Sequence, residues 1–138
     1  TILDKITFPV SIAPFSKSTP FRLPRAIALP DDPTKSVIML EMRTDENLLA
    51  KNMYVFIQDK FISFQKPKIE YKLSKTDETS WKLDVSSDTI VKDLFIEIPG
   101  SLHLWDNYID VAPGWAESIQ ITTVKNAILD SVNFSYIK

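Results

Sequence analysis

Apolar residues recur at every second position along most of this chain, which is the pattern of strands with one face in a core and the other in water. From Lys68 to Lys75, Ile69, Tyr71 and Leu73 point one way, and Lys68, Glu70, Lys72 and Ser74 the other. Asp77-Glu78-Thr79 makes a polar turn. Trp81, Leu83 and Val85 then resume the apolar face against Lys82, Asp84 and Ser86. These two runs predict a hairpin. After the loop Ser86-Ser87-Asp88, the run Ile90 to Ile98 sets Leu94, Ile96 and Ile98 opposite Asp93, Phe95 and Glu97. Pro99-Gly100 stops it. Such a pair suits a type II turn, because Pro presets φ at the second position and Gly accepts positive φ at the third. A loop is expected over Ser101 to Asp106, then a short strand from Asn107 to Val111 and a second Pro-Gly pair, Pro113-Gly114. Glu117 to Thr123 and Asp130 to Ile137 complete six expected strands after Pro67, the last with Val132, Phe134 and Tyr136 in phase.

Short strands with turn signals about every 8–12 residues predict an all-β fold, an immunoglobulin-like antiparallel β-sandwich. The first part is less regular. Ile6, Phe8, Val10 and Ile12 alternate with Pro9 on the opposite face, which suggests an edge strand. Phe21 to Leu29 is a proline-punctuated extended stretch. Ser36 to Arg43 and Lys51 to Gln58 form an expected hairpin around Thr44-Asp45-Glu46-Asn47. The helix-like patch Asp45 to Met53 is shorter than the roughly 12 residues an isolated helix needs and is read as a turn. Four strands cannot close a sandwich. The expectation is therefore one complete sandwich, residues 65–138, preceded by a partial, truncated one, residues 1–64, with the boundary near Gln65-Lys66-Pro67.

Composition narrows the chemistry. Hydrophobic residues make up 44%, enough for a packed core. A net charge of −2, with Lys and Arg scattered, argues against nucleic acid as a partner, because phosphate recognition needs a clustered basic surface. No stretch approaches the roughly 20 apolar residues of a membrane helix. The chain has no cysteine, so disulfides, thiolate metal sites and cysteine catalysis are excluded. It begins at Thr1 without a Met, and Thr1 to Val10 has no signal-peptide pattern, which suggests a piece of a longer protein.

Candidate chemistry is sparse. His103 is the only histidine, set between two leucines in an expected loop. The carboxylate pairs Asp31-Asp32, Asp45-Glu46 and Asp77-Glu78 fall in expected turns, where hydrated side chains are ordinary. Two glycines, both after proline, leave no room for a phosphate-cradling loop. No cofactor or metal is expected. Asp106-Asn107-Tyr108-Ile109-Asp110 is the densest polar-aromatic cluster, but it lacks the acidic ladder and glycine of a calcium loop. Tryptophan rings can stack on sugars while amides and carboxylates take the hydroxyls. Trp81 follows the inward alternation. Trp105 and Trp115 sit beside turns and, with Asp106, Asn107 and Tyr108, are the candidate carbohydrate contacts.

The segment Asp106-Asn107-Tyr108-Ile109-Asp110-Val111-Ala112-Pro113-Gly114 resembles the D-N-(Y/F)-F-D-L-x-P-G signature of the last immunoglobulin-like domain in β-mannosidases of glycoside hydrolase family 2. Asn52-Met53-Tyr54-Val55-Phe56 resembles the closing strand of the family's penultimate domain, and Lys66-Pro67-Lys68-Ile69-Glu70 the opening of its last one. Trp81 to Asp88 and Val91 to Leu94 agree in order. The chain departs from the family at Leu104-Trp105, Ile109 and Ala112. The likeness runs from about Ser36 to Thr123.

The resemblance implies a parent that is a retaining glycosidase acting on terminal β-mannosides, with two glutamates about 5–5.5 Å apart on an upstream (β/α)8 barrel. No Asn-Glu pair and no βα alternation occurs here, so this segment is not expected to be catalytic. Its implied partner is that catalytic barrel of the same parent chain, with an oligosaccharide as a further partner. The implied location is secreted, periplasmic or lysosomal. Two alternatives stay open: an independent carbohydrate-binding module, and a cell-surface protein-interaction sandwich using Phe95 and the Met39, Met42 and Met53 group.

Overall fold

The computed structural model describes residues 5–19, 21–24, 30–63 and 65–136. They divide into two compact units, Thr1–Asp31 and Asp32–Lys138. This grouping puts the expected hairpin with the sandwich residues.

The second unit is all β. It opens with β1 (Val37–Arg43) and β2 (Leu48–Val55), an antiparallel hairpin closed by Thr44 N–H donating to the Asn47 carbonyl at 2.9 Å. A single 3-10 turn at Asp59–Phe61 follows. Seven strands then build the sandwich: β3 (Ile69–Lys75), β4 (Ser80–Ser87), β5 (Val91–Glu97), β6 (Ser101–Leu104), β7 (Ile109–Val111), β8 (Glu117–Thr123) and β9 (Asn133–Ser135). One sheet runs β3-β4-β8-β6 and the other β7-β5-β9, all antiparallel. This is the four-plus-three division of an immunoglobulin-like sandwich. After the β3–β4 hairpin, every connection switches sheets.

In β4 and β5 the core lies where the alternation placed it, and β8 supplies the rest, while Tyr71 on the expected apolar face of β3 is 47% exposed. Leu83 and Val85 of β4 and Ile119 and Ile121 of β8 face Leu94 and Ile96 of β5, each at most 3% exposed. Phe134 of β9 pairs opposite Ile96 and meets the Tyr71 ring of β3 at 5.4 Å, closing one side of the sandwich. The two Pro-Gly turns form as expected. Gly100 and Gly114 have φ of +86° and +81°, and Ser101 and Trp115 donate back to the Ile98 and Ala112 carbonyls.

Several expectations need correction. Ser101 to Asp106 is not all loop, because Ser101–Leu104 is strand β6. Ser101 pairs with Thr123 and His103 with Thr122, so two steps on β6 match one on β8. This bulge turns Leu102 outward, 65% exposed, and hides the period-two signal. The sandwich therefore has seven strands instead of six. The strand expected from Asn107 begins at Ile109, and the last one narrows to Asn133–Ser135. Strand β2 starts at Leu48, so much of Asp45 to Met53 is strand. Ile6 to Ile12 forms no strand, and its four alternating side chains are 39–48% exposed. Alternation needs a neighbouring strand to become a ladder, and no ladder reaches these residues. Phe21 to Pro24 is also outside any strand, while the rest of that stretch, 25–29, lies outside the described residues.

Candidate functional site

The signature segment sits where β6 hands the chain from one sheet to the other. Trp105 directly follows β6, its N–H donating to the Gln120 carbonyl at 3.0 Å. Its indole N–H donates to Thr122 Oγ1 at 3.3 Å, and its ring meets His103 edge-on at 5.5 Å. His103 pairs with Thr122, between the inward positions Ile121 and Thr123. Trp105 and His103 therefore lie on the outer face of the four-stranded sheet. Trp105 is 67% exposed.

The next residues act on the backbone. Asp106 Oδ1 accepts from the Asn107 N–H at 2.9 Å. The Asn107 amide copies a strand. Its Oδ1 accepts from the Ile96 N–H at 2.7 Å, and its Nδ2 donates to the Ile96 carbonyl at 2.9 Å. A half-buried amide satisfied on both sides in this way pins the crossing loop to β5. Tyr108 has φ of +56°, and its ring packs on Phe95 at 5.1 Å. Phe95 alternates with the buried Leu94 and Ile96, so this aromatic pair covers the outer face of the three-stranded sheet.

Asp110 explains an irregularity in β5. Val91 and Leu94 are both buried although three residues apart. Val91 pairs with Val111 and Leu94 with Ile109, so β5 carries one extra residue in a bulge, with Asp93 at φ of +49°. Asp110 holds that bulge. Oδ1 accepts from the Asp93 N–H at 3.1 Å and Oδ2 pairs with Lys92 Nζ at 2.5 Å.

Trp115 is not beside an open surface. It is 7% exposed, and its indole N–H donates to Glu41 Oε1 of β1 at 2.6 Å. Lys51 of β2 sits 5.3 Å from the centre of its ring and pairs with Glu117. Packing against the hairpin leaves Trp115 no free face for a sugar.

Of the five candidates, then, Trp105 and Tyr108 are exposed, Asp106 and Asn107 order the loop, and Trp115 is internal. The structure does not join the two exposed rings into one platform, since Trp105 and Tyr108 cover the outer faces of different sheets. Sequence reasoning missed Glu41, Lys51 and Glu117, which meet across more than sixty residues of chain and carry no local signal.

Three further carboxylates are held by hydrogen bonds, two in turns and one across strands. Asp32 accepts from the Thr34 N–H and hydroxyl, and Asp77 from the Thr79 N–H. These bonds hold both carboxyls below their ordinary value. Asp84 is also held low, first by its bond from Lys82 and then by the Ser118 hydroxyl across β4 and β8. Among the described residues, no group of three or more His, Cys, Asp or Glu side chains could hold a metal ion. No helix among them is long and apolar enough to cross a membrane. No protein-family model matches the chain, and no curated protein matches it.

Proposed function

We propose that this chain is a non-catalytic accessory β-sandwich region of a larger β-mannosidase-like retaining glycoside hydrolase, packing on that enzyme's catalytic barrel and shaping one side of its cleft. One observation carries the reading. The signature Asp106 to Gly114 is a connected brace, in which Asn107 holds Ile96, Asp110 holds the Asp93 bulge, and Pro113-Gly114 turns the chain into β8. A motif with those duties suits a part whose work is to keep a shape for a neighbouring domain. The decisive test is the parent gene together with its product. A (β/α)8 domain upstream, and cleavage of an aryl β-mannoside by the parent but not by this segment, are the expected results. A parent without a barrel would overturn the reading.

A second reading, carbohydrate binding by the segment itself, is favoured by the exposure of Trp105 beside His103. Weak binding at most is expected, because Tyr108 belongs to the other sheet and one ring gives limited contact area. Titration calorimetry with mannan and chitosan oligosaccharides decides it. Heat in the wild type that disappears in Trp105→Ala would establish this second role.

A further inference from the structure

We propose that Asn133 is the acceptor of an N-linked glycan, carried on the outer face of the three-stranded sheet. Asn133-Phe134-Ser135 has the acceptor pattern Asn-x-Ser, with no proline in the middle. None of the other asparagines, Asn47, Asn52, Asn107 and Asn126, has Ser or Thr two positions on.

The fold presents this tripeptide outward. It is strand β9, and residues two apart on an extended backbone share a face. Phe134 points inward, opposite Ile96 and against the Tyr71 ring. Asn133 and Ser135 therefore point outward together, and both are exposed. Asn107 and Asn52, by contrast, use their side-chain amides on the backbone of Ile96 and Met53.

There is also room for a sugar. Strand β9 ends its sheet, paired with β5, and among the described residues no further strand lies beyond it. Glu97, opposite Asn133, is exposed as well. Phe95, opposite Ser135, and the exposed Tyr108 ring that packs on it give the base of a glycan an apolar surface for its C–H faces. A bulky, hydrated group here also guards a sheet edge against pairing with another chain.

The step is a glycosyl transfer. Asn133 Nδ2 attacks the anomeric carbon of an oligosaccharide linked to a lipid pyrophosphate. The N–C bond forms and the C–O bond to the pyrophosphate breaks. The lipid pyrophosphate leaves, and the amide proton goes to a base of the transferase. Ser135 supplies the hydroxyl by which that enzyme recognises the site. The chain must enter a secretory route, so the inference rests on the secreted or lysosomal location that the mannosidase-like reading implies. A parent without a barrel would end that reading and leave this site standing.

The test is secretion of the whole chain from cultured animal cells behind a cleavable signal peptide. Intact mass and peptide mapping are read before and after peptide-N-glycosidase. One glycan at Asn133 is expected, removed by that enzyme with conversion of the modified asparagine to aspartate. Asn133→Gln and Ser135→Ala should each abolish it, and Ser135→Thr should keep it. Chain retained inside the cells is read in the same way, because transfer precedes completion of folding. Wild-type chain unmodified at Asn133 would overturn the proposal, as would a glycan that survives Asn133→Gln. Protein from its own source should carry the same glycopeptide, and an unmodified Asn133 there would overturn the proposal too.

Discussion

At the scale of single residues, Asn107 does the most with the least. One primary amide supplies both a donor and an acceptor to Ile96, so the crossing loop behaves as a one-residue strand. Asn107→Ala leaves two backbone groups of β5 without partners and is expected to cost about 1–3 kcal/mol, read as a lower urea midpoint at unchanged slope. Asn107→Asp keeps the acceptor and loses the donor, so it should fall between. Gly114 gives a cleaner case. A Cβ there meets nothing within 4 Å, so Gly114→Ala pays only for its positive φ, roughly 1–2 kcal/mol. A much larger loss in thermal denaturation would mean that the turn has a hidden contact. The residue types at both sites were legible in the sequence, because Asn and Pro-Gly have strong turn chemistry. The partner of Asn107 was not, because Ile96 carries no local sign of being chosen.

At the scale of elements, β4 is the hub of its sheet, paired on one side with β3 and on the other with β8. Leu83 lies at its middle and is fully buried. Leu83→Ala should lose about 2–5 kcal/mol in urea unfolding, the range for a large-to-small change in a packed core. The strands with regular alternation, β3, β4 and β8, fell where the pattern put them. β5 and β6 departed from strict alternation for one shared reason. Each holds a bulge, and one extra residue reverses inside and outside from that point on. The bulge in β5 depends on Asp110, so Asp110→Ala should destabilise the protein more than an exposed-charge change would. A urea midpoint indistinguishable from wild type would show that the bulge holds without it.

At the scale of the whole molecule, acid sensitivity follows from three carboxylates. Hydrogen bonds favour the charged forms of Asp32, Asp77 and Asp84 and hold their carboxyls below the ordinary aspartate value in the folded chain. A lowered folded pKa gives stability that is present above the unfolded value and lost as pH falls through the folded one. The urea midpoint should therefore be flat near neutrality and fall as pH drops below about 4. Asp84→Asn should lower the neutral midpoint slightly and flatten part of that fall. All three side chains keep contact with water, Asp77 fully and Asp32 and Asp84 in part, so each effect is small. A midpoint that rises on acidification would contradict the assignment.

The sequence by itself determined the fold class, most strand positions, both Pro-Gly turns and the inward set Leu83, Val85, Leu94, Ile96 and Ile98. Each of these depends on residues a few positions apart, where side-chain direction is set by the two-residue repeat of an extended backbone. Tertiary structure alone decided that Trp115 is buried under the hairpin, that Trp105 and Tyr108 cover different sheets, and that Ile6 to Ile12 joins no strand ladder among the described residues. Each of those turns on which distant segment arrives beside a residue, and a local repeat has no means of encoding that.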